Sequence, residues 1–192
     1  MSNKKNRINI IIYGHPDIVQ MDANSFIREF LENMFKKNYN LNTKKTLVFD
    51  TEVKLDHGVK FNCRLHATNS EPQLRTMAKN SVGLILIFDP EKQESLDFVE
   101  TVFNNTKKSK NLNNLYIIIL GNKLGKTEIN REAKDFAERN EINYCDSVPE
   151  NVEELIKEIY NFNQNKKQEI NQKKDDSKGN DKKRRGCCGC FK

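Results

Sequence analysis

No stretch of this 192-residue chain is apolar for the roughly 20 residues that a membrane-crossing helix needs. The first apolar run, Ile8 to Tyr13, also falls short of a signal-peptide core of roughly 7–15 residues. Both absences argue against a spanning or secreted protein and predict synthesis in the cytosol, where structural disulfides are not expected. The five cysteines therefore need another account: Cys63 and Cys145 lie in apolar stretches and read as core thiols, and Cys187, Cys188 and Cys190 crowd the C-terminus. Nothing resembles a nucleic-acid module, and no aromatic residues interleave the basic run near the end, so nucleic acid is not expected as a partner.

Hydrophobic residues are scarce, at 36%, and 31% of residues are charged. Spread evenly, that composition would predict disorder; here it is uneven. From Asn163 onward there are ten Lys or Arg and four Asp or Glu, a local charge of +6. The chain as a whole is also +6, from 33 basic and 27 acidic residues, so Met1 to Phe162 is neutral at 23 against 23. The basic character belongs to the tail, and its natural partners are polyanions.

Before the tail, apolar runs alternate with amphipathic patterns. Ile8 to Tyr13 reads as a buried strand ended by Gly14, and Ser25 to Lys37 as a helix with Phe26, Ile27, Phe30, Leu31 and Met34 at helical spacing. Leu47 to Leu55 and Val59 to Leu65 alternate around Asp56-His57-Gly58, a hairpin signature. Glu71 to Asn80 reads as a short helix, Val82 to Phe88 as a fully buried strand, and Ser95 to Asn105 as a helix. Leu115 to Leu120 is a strand, Asn130 to Asn140 a helix, Ile142 to Cys145 a short strand and Asn151 to Phe162 a last helix. Residues 163–185 carry no apolar periodicity and read as a disordered tail or a frayed helical extension. The alternation predicts an α/β domain over 1–162, doubly wound, with a mostly parallel six-stranded sheet, one antiparallel edge strand and helices on both faces, followed by a basic tail over 163–192. In such sheets ligands bind at the carboxyl ends of the strands.

Four segments, in order, resemble the Rab proteins of the Ras superfamily. Gly83 to Asp89, a buried strand ending in Asp, followed by Gln93-Glu94-Ser95-Leu96, is similar to one Rab segment. Ile117 to Lys123 resembles the strand leading into the Asn-Lys-x-Asp guanine motif. Ala133 to Ala137, Ile142 and Asn151-Val152-Glu153 resemble the last helices, and Leu55-Asp56 with Leu74-Arg75-Thr76-Met77 the interswitch turn and switch II. The resemblance spans roughly Ile8 to Phe162 and implies the P-loop small GTPase fold, with GTP or GDP and Mg²⁺ as cofactors.

Position by position, the nucleotide site that this resemblance implies is depleted. The phosphate loop, G-x-x-x-x-G-K-S/T, uses glycines to aim N–H groups at phosphates, a Lys to neutralise them and a hydroxyl to hold Mg²⁺. Counted from Gly14, Val19 stands for Gly, Gln20 for Lys and Met21 for the hydroxyl residue. Pro16 lacks an N–H, Asp17 is negative, and no Lys occurs between Lys5 and Lys36. The Asp-Thr-Ala-Gly-Gln element reads His66-Ala67-Thr68-Asn69-Ser70, without the magnesium-linked carboxylate or the glutamine that orients water; His66 reads as a satisfied polar residue. Thr43 and Thr46 are both candidates for the switch I threonine on magnesium. Asn122 and Lys123 match the guanine motif, but Gly125 replaces its Asp, and of the later Ser-Ala-Lys loop only Ser147 remains. Each lost charge-assisted contact is worth about 1.5–3 kcal/mol, so nucleotide binding is expected to be weak or lost and hydrolysis is not expected.

The tail, Lys182-Lys183-Arg184-Arg185-Gly186-Cys187-Cys188-Gly189-Cys190-Phe191-Lys192, puts a polybasic run directly before clustered cysteines. Gly189 stands fourth from the end, so this is no C-a-a-X box. Cys187-Cys188 resembles the paired cysteines of Rab tails, with palmitoylation of Cys187, Cys188 or Cys190 as the alternative. Lipid plus a basic patch anchors stably, and Cys-Cys-x-Cys alone cannot complete a four-ligand zinc site. The expectation is a protein on the cytoplasmic face of an intracellular membrane, with a cytosolic pool and trafficking effectors or escort proteins as partners. Two alternatives stay open: an active, atypical GTP-binding switch, and a membrane adaptor outside trafficking.

Overall fold

The computed structural model describes residues 7–19, 47–55, 58, 60–107, 114–122, 127–146 and 152–184. The elements in chain order are β1 (Arg7–Gly14), β2 (Leu47–Lys54), β3 (Lys60–Thr68), α1 (Glu71–Ala78), β4 (Gly83–Phe88), α2 (Gln93–Lys107), β5 (Tyr116–Gly121), α3 (Glu128–Arg139), β6 (Asn143–Cys145) and α4 (Val152–Arg184). The helix expected over Ser25 to Lys37 lies outside the described residues.

Six strands form one sheet in the order β2-β3-β1-β4-β5-β6. β2 and β3 pair antiparallel, and every other pairing is parallel. The hairpin forms where the alternating pattern placed it; Gly58 sits at φ 78°, a left-handed conformation that glycine adopts without steric cost.

β1 runs through the middle of the sheet, with Ile10 opposite Leu65 on one side and Gly83 on the other. Its side chains alternate between two cores. Ile8, Ile10 and Ile12 join Cys63, Leu65, Ile85 and Leu120 beneath Leu155, Ile156 and Ile159 of α4. Ile11 and Tyr13 join Leu84, Leu86 and Phe88 beneath Leu74 of α1, Leu96 and Val99 of α2, and Phe136 of α3. Helices thus cover both faces, which is why β4 is apolar at every position. Cys63 is wholly buried, and burial pushes its thiol up to about 12; Cys145 is half-buried against the core, and neither is in a disulfide.

Two helix starts differ from the sequence reading. α3 begins at Glu128 because Thr127 caps it, its hydroxyl accepting from the Asn130 N–H at 3.2 Å. α2 begins at Gln93, ahead of Ser95, whose buried hydroxyl accepts from the Asp89 N–H at 2.8 Å and donates to the Lys92 carbonyl at 2.7 Å. Past Phe162, where the sequence left a disordered tail and a helical extension both open, the chain continues as helix to Arg184. Lys, Gln and Glu are good helix formers, so the segment can prolong a helix nucleated by the packed turns before it without an apolar face.

Candidate functional site

The carboxyl ends of β1, β3, β4 and β5 bring together Gly14, Thr68, Asp89 and Asn122 at one edge of the sheet. The Asn122 N–H donates to the Phe88 carbonyl at 2.9 Å, fixing the turn after β5 to the end of β4. Gly14 is confined by packing: a Cβ there would lie 2.9 Å from the Ile87 carbonyl oxygen and 3.0 Å from Cγ2 of Val19. This glycine thus has a steric reason to be present that needs no ligand.

Beyond Gly14 the chain folds into a turn closed on itself. The N–H groups of Ile18 and Val19 both donate to the His15 carbonyl, at 2.9 and 3.0 Å. The Asp17 N–H donates to Nδ1 of His15 at 3.3 Å, and Pro16 has no N–H. Across 16–19, where a phosphate loop would aim its donors outward, none is left over. Ile18 and Val19 are each 4% exposed and pack into the core beneath α4, so the segment is anchored by apolar burial. The Asp17 carboxylate faces the Lys92 ammonium at 3.8 Å and Nδ1 of His15 at 3.7 Å. Lys92, 75 residues away in sequence, is a cation beside this turn that the motif comparison missed; its position just past Asp89-Pro90, at the carboxyl end of β4, was the available signal.

The turn after β3 is also satisfied from within. The Thr68 hydroxyl meets Oε1 of Gln73 at 2.7 Å and accepts from the Ser70 N–H at 3.1 Å. The Tyr13 hydroxyl donates to the Asn69 carbonyl at 3.3 Å, and the Tyr13 ring stacks on Phe98 with centroids 5.6 Å apart. His66 needs a correction: it lies within β3, opposite Val48 and Ile11, and its buried Nδ1 has no hydrogen-bond partner. Burial first, and then the Arg64 and Arg7 guanidiniums, hold its pKa below the ordinary histidine value.

The base side differs. Oδ1 of Asn122 is buried and has no partner, which makes it the one residue of the guanine motif among the described residues with unused hydrogen-bonding capacity facing inward. Lys123, Gly125 and Ser147 lie outside the described residues, as do Gln20, Met21, Thr43, Thr46, Cys187, Cys188 and Cys190. Among the described residues no group of three or more His, Cys, Asp or Glu is placed to hold a metal ion. Residues 16–19 do not fit a magnesium triphosphate, since they offer it no free N–H and the ammonium beside them, Lys92, is paired with Asp17. A cavity of about 540 Å³ lies elsewhere, between Phe103, Tyr116, Ile142 and Phe162 at the amino ends of β5 and β6, at the opposite edge of the sheet from Gly14 and Asn122.

A comparison with curated proteins found no match. The family model of the Ras family matches residues 22–167, beginning just past the segment that stands for the phosphate loop. That match covers most of the chain and runs through the hairpin, both halves of the sheet and the start of the last helix. On this match and this sheet, the chain belongs to the Ras family of small GTPases.

Proposed function

We propose that this protein is a Rab-like member of the family whose domain serves as a membrane-tethered binding module in vesicle traffic, with GTP binding weak or lost. The observation that carries the reading is the turn after β1: the Ile18 and Val19 N–H groups are bonded to the His15 carbonyl and the Asp17 N–H to the His15 ring. A triphosphate would have to break those bonds, displace two buried apolar side chains and accept the negative charge of Asp17. The residues that replace the family's glycine, lysine and hydroxyl, Val19, Gln20 and Met21, bring neither a cation nor a hydroxyl.

Anchorage rests on the tail. A basic run ending in Cys187, Cys188 and Cys190 suits lipidation, prenyl or palmitoyl, together with an anionic membrane surface. Changing all three cysteines to Ser is expected to move the protein from the membrane fraction to the cytosol; unchanged association would refute lipid anchoring. Purified protein mixed with fluorescent GTP and magnesium is expected to show no saturable binding at low micromolar concentration. Magnesium-dependent saturation in that range would establish instead an atypical GTP-binding switch, the reading that the orphaned Oδ1 of Asn122 favours.

A further inference from the structure

In a switching GTPase, the segment after β3 is ordered by the terminal phosphate and its magnesium, and it loosens when they go. In this chain the same segment is tied down by the protein. The Tyr13 hydroxyl reaches from β1 to the carbonyl of Asn69. Two residues later α1 begins, and its Leu74 is wholly buried in the core that contains Tyr13. The far end of α1 has its own tie, because Nδ2 of Asn9, also on β1, donates to the Asn80 carbonyl at 2.8 Å. Between them, the pairing of Thr68 with Gln73 joins the end of β3 to the first turn of α1. Asn9, Ile11 and Tyr13 alternate along one strand, so a single face of β1 underlies the whole segment.

We propose that Tyr13 and Asn9 do for α1 what a nucleotide does in a switching GTPase, holding it in one position with no ligand present. The reading rests on the proposed function above, in which the phosphate end is not used for nucleotide. Tyr13 is a positioning residue. Its ring is fixed by the stack on Phe98 and by burial at 1% exposure, so the hydroxyl is delivered to Asn69 by a side chain that cannot swing away. At 3.3 Å the hydrogen bond is long for an O–H donor, and its contribution lies in the low part of the ordinary range. The expected effect is therefore local, with the rest of the sheet unmoved.

Hydrogen–deuterium exchange on the full chain tests this. Tyr13→Phe keeps the ring and removes the tie, and it is expected to speed exchange of the amides over 69–78 by roughly 2- to 10-fold, with β4 as an unchanged internal reference. Asn9→Ala is expected to do the same over 79–82. In the wild type, adding a GTP analogue with magnesium is expected to leave exchange over 69–80 unaltered. Equal exchange in Tyr13→Phe and wild type would overturn the inference, as would new protection of 69–80 when nucleotide is added. Bound nucleotide is quantified in the same samples. If nucleotide is bound and α1 is unaffected, the loss of GTP binding is refuted and this inference stands. If no nucleotide is bound and Tyr13→Phe is silent, the inference alone falls.

Discussion

The two ends of the ligand edge have gone different ways. After β1, every N–H from Asp17 to Val19 is bonded within the turn, and two apolar side chains seal it. After β5, the buried Oδ1 of Asn122 has no donor among the described residues. The first is packed at Ile18 and Val19, whereas the second, among the described residues, has a buried polar atom without the contact that would offset its burial. The contrast teaches that a sheet held by two apolar cores does not depend on its ligand edge, so that edge can change while the fold persists.

The largest test of the contrast is to truncate what both ends share. Leu65→Ala opens a wholly buried position on β3, beside Ile10 of β1, and is expected to lower stability by about 2–5 kcal/mol in denaturant unfolding. A change below about 1 kcal/mol would mean that the core does not carry the edge. Next is Val19→Gly, which restores the family's residue. In a working phosphate loop that change is an improvement; here it removes a buried side chain and adds backbone freedom, and a loss of about 2–3 kcal/mol without gain of GTP binding is expected. A variant that is as stable as wild type and binds GTP would erase the difference between the ends. Asn122→Ala sharpens the other side. Deleting an unpartnered buried acceptor is expected to leave stability within about 1 kcal/mol of wild type, whereas a large loss would show that Asn122 has a partner after all.

The smallest effect concerns pH. His66 is held neutral in the fold, chiefly by burial. Its folded pKa lies below its unfolded value of about 6.5, so the unfolded state takes up protons first as pH falls. Stability from this group is present above about pH 6.5 and is lost as pH drops toward the folded value. Thermal unfolding at pH 7.5 and 5.5 is expected to show a modest decline that His66→Gln reduces. An identical decline in the variant would assign the pH dependence to other groups.

The order and type of the described elements were legible because buried parallel strands must be apolar and the helices over them amphipathic; β4, with every position buried, is the plainest case. That glutamine stands at position 20, where the resemblance implies a lysine, is read from the sequence alone. Several details were not. The pairing of Lys92 with Asp17 joins residues 75 apart, and no local pattern marks it. Tyr13 reads as one more apolar strand residue, and only its place opposite Thr68 in the sheet sends its hydroxyl to Asn69. The start of α3 depends on Thr127 as a cap, a signal present in the sequence but weaker than the charge-rich run that follows. Helix past Phe162 stayed one of two readings because periodicity reports packing, whereas Lys, Gln and Glu favour helix without it.

The central proposal is that the turn after β1, whose N–H groups over 17–19 are bonded within it, does not hold a triphosphate. Native mass spectrometry of the protein taken straight from cells, without chelator or denaturant, tests it most directly. The account predicts the mass of the polypeptide with its tail modifications and nothing more. A folded species heavier by one guanine nucleotide and a magnesium ion would contradict it.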